Sequence, residues 1–61
     1  MEFDKAIRME RTSVHLNNRG LAHYHNDCLA KAKEDFDSAI DVDPNNPMLY
    51  FNRGNVFLNW K

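Results

Sequence analysis

The sequence predicts an all-α protein of antiparallel helix-turn-helix repeats stacked as an α-solenoid, with about four helices. Three observations predict it. Asn-Arg-Gly occurs twice, at 18–20 and 52–54, a spacing of 34 residues within a chain of 61. That period, in a helical pattern, marks stacked helix pairs. Apolar or small residues also recur at i, i+4, i+7 and i+8 in three segments, one face of a helix each time. Finally, Pro, Asn and Asp stand between those segments, where helices stop and start.

The first helix is expected near residues 2–9, where Phe3, Ala6 and Ile7 share a face. Residues 10–12 are expected to interrupt it, with Thr12 capping the next helix. The second helix, about 13–26, carries the stripe Leu16, Gly20, His23 and Tyr24. Asn26-Asp27 ends it, and Asp27 is placed to cap the third. That helix, about 28–42, carries Ala32, Phe36, Ala39 and Ile40, with Lys31, Glu34, Asp35 and Asp41 opposite. Pro44 stops it, because a residue before proline avoids helical backbone. Asn46 suits an N-cap and Pro47 the first turn of a fourth helix. Its stripe is Tyr50, Gly54, Phe57 and Leu58.

A glycine inside a helix costs about 1 kcal/mol relative to alanine. Its recurrence at the same repeat position predicts close helix crossings at both Gly20 and Gly54. Ala32 and Ala39 offer the matching shallow surface on the third helix.

Composition limits function. Net charge is −1, against a dedicated nucleic-acid binder. Residues 27–43 hold six of the nine acids, which reads as a solvated face or a dock for a basic partner. No apolar run approaches the roughly 20 residues of a membrane span. Met1 is followed by Glu2 and Asp4 rather than by a signal-peptide pattern. The single cysteine, Cys28, excludes an intrachain disulfide and fits a reducing compartment, so an intracellular, cytoplasmic location is expected.

These residues resemble the tetratricopeptide repeat. A unit begun at Ser13 puts Leu16, Gly20, His23, Ala32, Phe36, Ala39 and Pro44 in the family's slots. The next, begun at Pro47, puts Tyr50, Gly54 and Phe57 there. Phe3, Ala6 and Ile7 echo Phe36, Ala39 and Ile40 at an offset of 33. Arg19 and Arg53 stand where leucine is usual, His23 where an aromatic is usual, and Arg11 where a proline would fall.

The resemblance implies a slice of a longer right-handed superhelical array. Residues 1–12 would be the second helix of a preceding repeat, 13–46 one complete repeat, and 47–61 the first helix of the next. Leu16, Gly20, Tyr24, Ala32, Phe36, Ala39, Pro44, Tyr50, Gly54 and Phe57 would pack the repeats. It also implies a concave groove lined by Val14, Asn17, Leu21 and His25, then Met48, Phe51, Asn55 and Asn59. Tyr24 and Leu58 share those groove positions, but read as packing residues. Such a groove suits a protein ligand, an extended peptide or a partner helix with apolar anchors.

One branch of the family clamps chaperone C-termini with groove cations. Val14, Asn17, Met48 and Phe51 stand where those cations are needed. RNA-reading repeats would need a basic stripe that this groove lacks, so no nucleic acid is expected. Arg19 reads either as an anion contact or as a partner for an acid of the third helix, Asp35 first.

His23 and His25 point to nearly opposite sides of a helix, and His15 lies two turns from His23, about 12 Å away. Neither metal nor other cofactor is expected. No nucleophile, base and orienting acid assemble, so the chain reads as a non-enzyme. A second reading is self-assembly, because the first and fourth helices each present an apolar face with no partner in the chain.

Overall fold

A computed structural model describes the backbone of residues 2–60 and the side chains of residues 7–60. Three helices follow one another: α1 (Glu2–His25), α2 (Leu29–Val42) and α3 (Pro47–Leu58). Among the described residues everything else is turn or cap.

α1 corrects the expected break at 10–12, so there are three helices rather than four. Glu10 and Arg11 are good helix formers, and neither glycine nor proline lies nearby. Thr12 is not a cap. Its Oγ1 donates to Arg8 O at 2.7 Å, a bond made inside a helix. Of the side chains behind the predicted first helix, Phe3 and Ala6 lie outside the described residues; Ile7 is exposed.

α1 ends at Asp27, whose φ of 63° lies in the left-handed region. Asp27 N–H donates to Tyr24 O and Cys28 N–H to His23 O, at 3.1 and 2.8 Å. This paired closure satisfies carbonyls that the helix end would leave open. Asp27 therefore terminates α1; it does not cap α2. Cys28 occupies the cap position and makes no side-chain cap bond. At the start of α3, Asn46 Oδ1 accepts from Met48 N–H at 3.0 Å and Pro47 opens the helix. Short polar side chains with their oxygen near the backbone favour that role.

α2 runs antiparallel to α1 and packs between α1 and α3. Its predicted stripe is buried in full: Ala32, Phe36 and Ala39 at 0% and Ile40 at 8% exposure. Phe36 and Ala32 cluster with Val56, flanked by Leu21, Tyr24 and Leu29. One turn on, Ala39 and Ile40 cluster with Leu49, flanked by Leu16.

α3 turns a different face inward than its predicted stripe. Leu49, Asn52 and Val56 are buried. Tyr50, Phe57 and Leu58 lie on the surface, and Gly54 is half-buried with open space beside it. The helix carries apolar residues on two faces, and α2 covers one.

The two glycines thus differ. A Cβ built on Gly20 would sit 2.7 Å from the Phe36 ring, whereas one on Gly54 meets nothing within 4 Å. Gly20 is a close crossing. Gly54, within this chain, is not; the residue that would stand to it as Phe36 stands to Gly20 would be number 70, beyond the 61 residues.

A charged clasp sits beside Gly20. Arg19 Nε and Nη2 donate to Asp35 Oδ2 and Oδ1 at 2.9 and 2.8 Å. His23 Nε2 lies 3.6 Å from Asp35 Oδ2. The Arg19 hydrogen bonds hold the Asp35 carboxyl below its ordinary range, against the opposing effect of burial. Arg19, in turn, is raised by the same bonds.

In dilute solution Gly20→Ala should lose about 1–3 kcal/mol through overpacking against Phe36. Gly54→Ala should gain up to about 1 kcal/mol from helix propensity alone. Urea denaturation of both variants tests the contrast; shifts in the same direction would refute it. The clasp makes a pH prediction. A carboxylate lowered on folding contributes fully above its unfolded value, about 4, and loses that contribution as pH falls through the folded value. Asp35→Asn should therefore lower the melting temperature at neutral pH and flatten its decline below about pH 4. Superimposable melting-versus-pH curves would show the clasp to be energetically silent.

Candidate functional site

The surface shared by α1 and α3 is defined by two side-chain bonds, each spanning 35 residues. Asn52 Nδ2 donates to Asn17 Oδ1 at 2.7 Å, and Asn59 Nδ2 donates to Tyr24 Oη at 2.6 Å. Asn17 and Tyr24 are seven residues apart on α1; Asn52 and Asn59 are seven apart along α3 and its C-cap. Equal offsets at both points require the two helices to run parallel, side by side. Two turns separate the bonds, about 10 Å along the axis.

Around this seam the groove residues fall into two groups. Val14, His25, Met48 and Phe51 are exposed, Phe51 by 64%. Leu21 and Asn55 are half-buried. Asn17 is half-buried and Asn59 exposed, and their side chains are engaged across the seam or with backbone. Their carboxamides therefore tie α1 to α3 as well as facing the surface. Tyr24 is half-buried, packs on the Phe36 cluster and meets His25 edge-on at 5.8 Å. Leu58, expected to pack, is 83% exposed: α3 ends there, and no described element covers it.

None of the groove residues carries a full charge when histidine is neutral. The charges lie outside. Arg53 Nη1 donates to Asp37 Oδ1 at 3.1 Å and its guanidinium stands 5.5 Å from the Tyr50 ring centre. Lys33 Nζ reaches the other Asp37 oxygen at 2.7 Å. Burial pushes the Asp37 carboxyl up, but the Lys33 and Arg53 hydrogen bonds and charges outweigh it, and the group is held below its ordinary range. Tyr50 Oη donates to Pro44 O at 2.9 Å, which fixes the ring against the α2–α3 turn.

Of the residues expected to pack the repeats, Leu16, Gly20, Tyr24, Ala32, Phe36 and Ala39 converge on α2 and its neighbours. Pro44 is an exposed turn residue, and Tyr50, Gly54 and Phe57 share the uncovered face of α3. Sequence reasoning missed Leu49, Asn52 and Val56, which are buried. The signal was present as i, i+3, i+7, but the repeat pattern drew attention to the neighbouring face. It also missed Asn52 as the partner of Asn17, legible only as two asparagines 35 apart.

Among the described residues no group of three His, Cys, Asp or Glu could hold a metal ion. Among them, too, no helix is long and apolar enough to cross a membrane. Cys28 is exposed and free.

A sequence model described as "Tetratricopeptide repeat" matches residues 14–46. Tetratricopeptide repeat protein 6 of Homo sapiens is 30% identical to the chain over 56 residues, which cover 92% of the chain and 11% of that relative. No solved structure matches significantly. With more than half its residues in the family match and an all-helical fold of antiparallel neighbours, the chain belongs to the tetratricopeptide repeat family.

Proposed function

We propose that this chain is a protein-interaction scaffold segment that holds an apolar peptide or partner helix along the α1–α3 surface. Repeats of this family are in general protein–protein interaction modules, and typically not enzymes. The observation that carries the finer reading is the exposure of Val14, Met48 and Phe51 beside a seam free of full charges. Exposed apolar residues rimmed by polar ones mark sites where another molecule excludes water. Leu21 and Asn55 lie lower, half-buried, and offer an apolar contact and a backbone-bonding carboxamide. His25 and Asn59 close the far end. The ligand is a protein segment with apolar anchors and no need for a carboxylate.

The same reading divides the chain at 1–12, 13–46 and 47–61. Residues 1–12 carry the pattern of a second helix, here run on into α1. Intracellular, cytoplasmic use goes with the free thiol Cys28.

A second reading is self-association. It is favoured by Gly54, which meets no atom within 4 Å, and by Tyr50 and Phe57 beside it on the surface.

Peptides selected on the immobilised chain from a random display library test the groove. Phe51→Ser and Val14→Ser should weaken the selected peptides at least about tenfold. Because both side chains are exposed, stability should move by no more than about 0.5 kcal/mol. Peptides that bind both variants as tightly as the wild type would place the binding surface elsewhere.

A further inference from the structure

The uncovered face of α3 repeats the face of α1 that receives α2. Tyr50, Arg53, Gly54 and Phe57 stand 34 residues after Leu16, Arg19, Gly20 and His23. On α1 that face is filled. Phe36 lies over Gly20, and the residue before it, Asp35, takes two guanidinium nitrogens of Arg19. On α3 a Cβ at Gly54 would meet nothing within 4 Å.

The segment that fills α1 reads Asp35-Phe36-Asp37-Ser38-Ala39-Ile40. The chain holds a second segment of the same form, Glu2-Phe3-Asp4-Lys5-Ala6-Ile7. Acid, phenylalanine, aspartate, alanine and isoleucine come in the same order at the same spacing. By the logic of α2, it is a helix edge made for a glycine notch with an arginine beside it.

Its own chain cannot use it. The two 35-residue bonds set Gly54 level with residue 19 on the parallel α1. Phe3 lies sixteen residues further along the same unbroken helix, about 24 Å away. Nor does α2 hide this end of α1. Val42 and Asp43, at its close, lie beside Met9 and Glu10, so the first turns of α1 run past it.

We propose that two copies of this chain associate by docking residues 2–7 of one on α3 of the other. Phe3 sits over Gly54 as Phe36 sits over Gly20, and Glu2 meets Arg53 as Asp35 meets Arg19. This gives the self-association reading above a register, and rests on it. Arg53 already binds Asp37 through Nη1, and a guanidinium has five N–H donors, so a second carboxylate can be taken. Exchange between two copies closes a dimer; passed along a row, the same contact propagates head to tail.

Sedimentation equilibrium of the full 61-residue chain across the micromolar range, with reductant to keep Cys28 free, tests the register. Wild type should associate reversibly. Phe3→Ala and Gly54→Ala should each weaken association by roughly tenfold or more. Gly54→Ala introduces no clash within its own chain, so circular dichroism should show it fully helical. Association that persists unchanged in both variants would overturn the register while leaving self-association through another face. A folded wild type that stays monomeric throughout would overturn both, and would leave the α3 face to a helix of some other protein.

Discussion

Everything in this fold hangs on the Phe36 ring lying against a helix surface that has no Cβ. Gly20 lets the ring approach to a distance that alanine would forbid. The ring then meets Val56 on its other side, so one side chain joins all three helices. Once Phe36 is seated, α2 can neither slide nor roll on α1. Ala32 and Ala39, a turn before and a turn after, keep the helices close along the contact, and Asp35 is brought to Arg19. The ion pair is thus a consequence of the register, and it also penalises alternatives: a slipped α2 would leave a largely buried carboxylate without its partner.

Few polar groups are buried, and each is a tie. Among the described residues no buried side-chain nitrogen or oxygen lacks a hydrogen bond. Ser13 bonds Glu10 O within α1, Asp35 joins α2 to α1, and Asn52 joins α3 to α1. Two of these three cross between helices. In a chain with so small an apolar core, their value is directional. Apolar contacts tolerate rotation, whereas an Asn–Asn bond at 2.7 Å does not. The parallel placement of α1 and α3, and with it the surface offered to a partner, is set by such bonds.

How far the sequence could be read depended on whether each signal had its partner inside the chain. The α2 stripe was legible because a four-position helical pattern with acids opposite has one sensible burial. Asn46-Pro47 was legible because capping chemistry is local. So was Arg19 with Asp35, as a cation and an acid on adjacent helices. The break at 10–12 was read from the spacing of the repeats, yet Glu10, Arg11 and Thr12 contain nothing that costs a helix much. Local propensity decided the outcome, and Arg11 stands where proline would have forced a turn. The groove was legible as a set of positions; the bonding of Asn17 to Asn52 and of Tyr24 to Asn59 was not, because no period marks a pair that meets across two repeats.

The misplaced stripe of α3 and the unbroken α1 have one cause. Repeat sequences encode contacts with neighbours on both sides, and a helix can satisfy only the contacts whose partners are present. α2 has a helix on each side, and all four of its stripe positions are buried. α3 has one, and must choose between Leu49-Asn52-Val56 and Tyr50-Gly54-Phe57. It takes the face that follows α2 in the chain, where loop closure over a few residues is cheapest. Its other face keeps a glycine in mid-helix at a cost of about 1 kcal/mol. At Gly20 the seating of Phe36 offsets that cost; at Gly54 nothing within the chain does. A notch without its knob, flanked by a tyrosine and a phenylalanine half in water, is half of an interface, and the missing half has to be a helix that presents an aromatic side chain to Gly54.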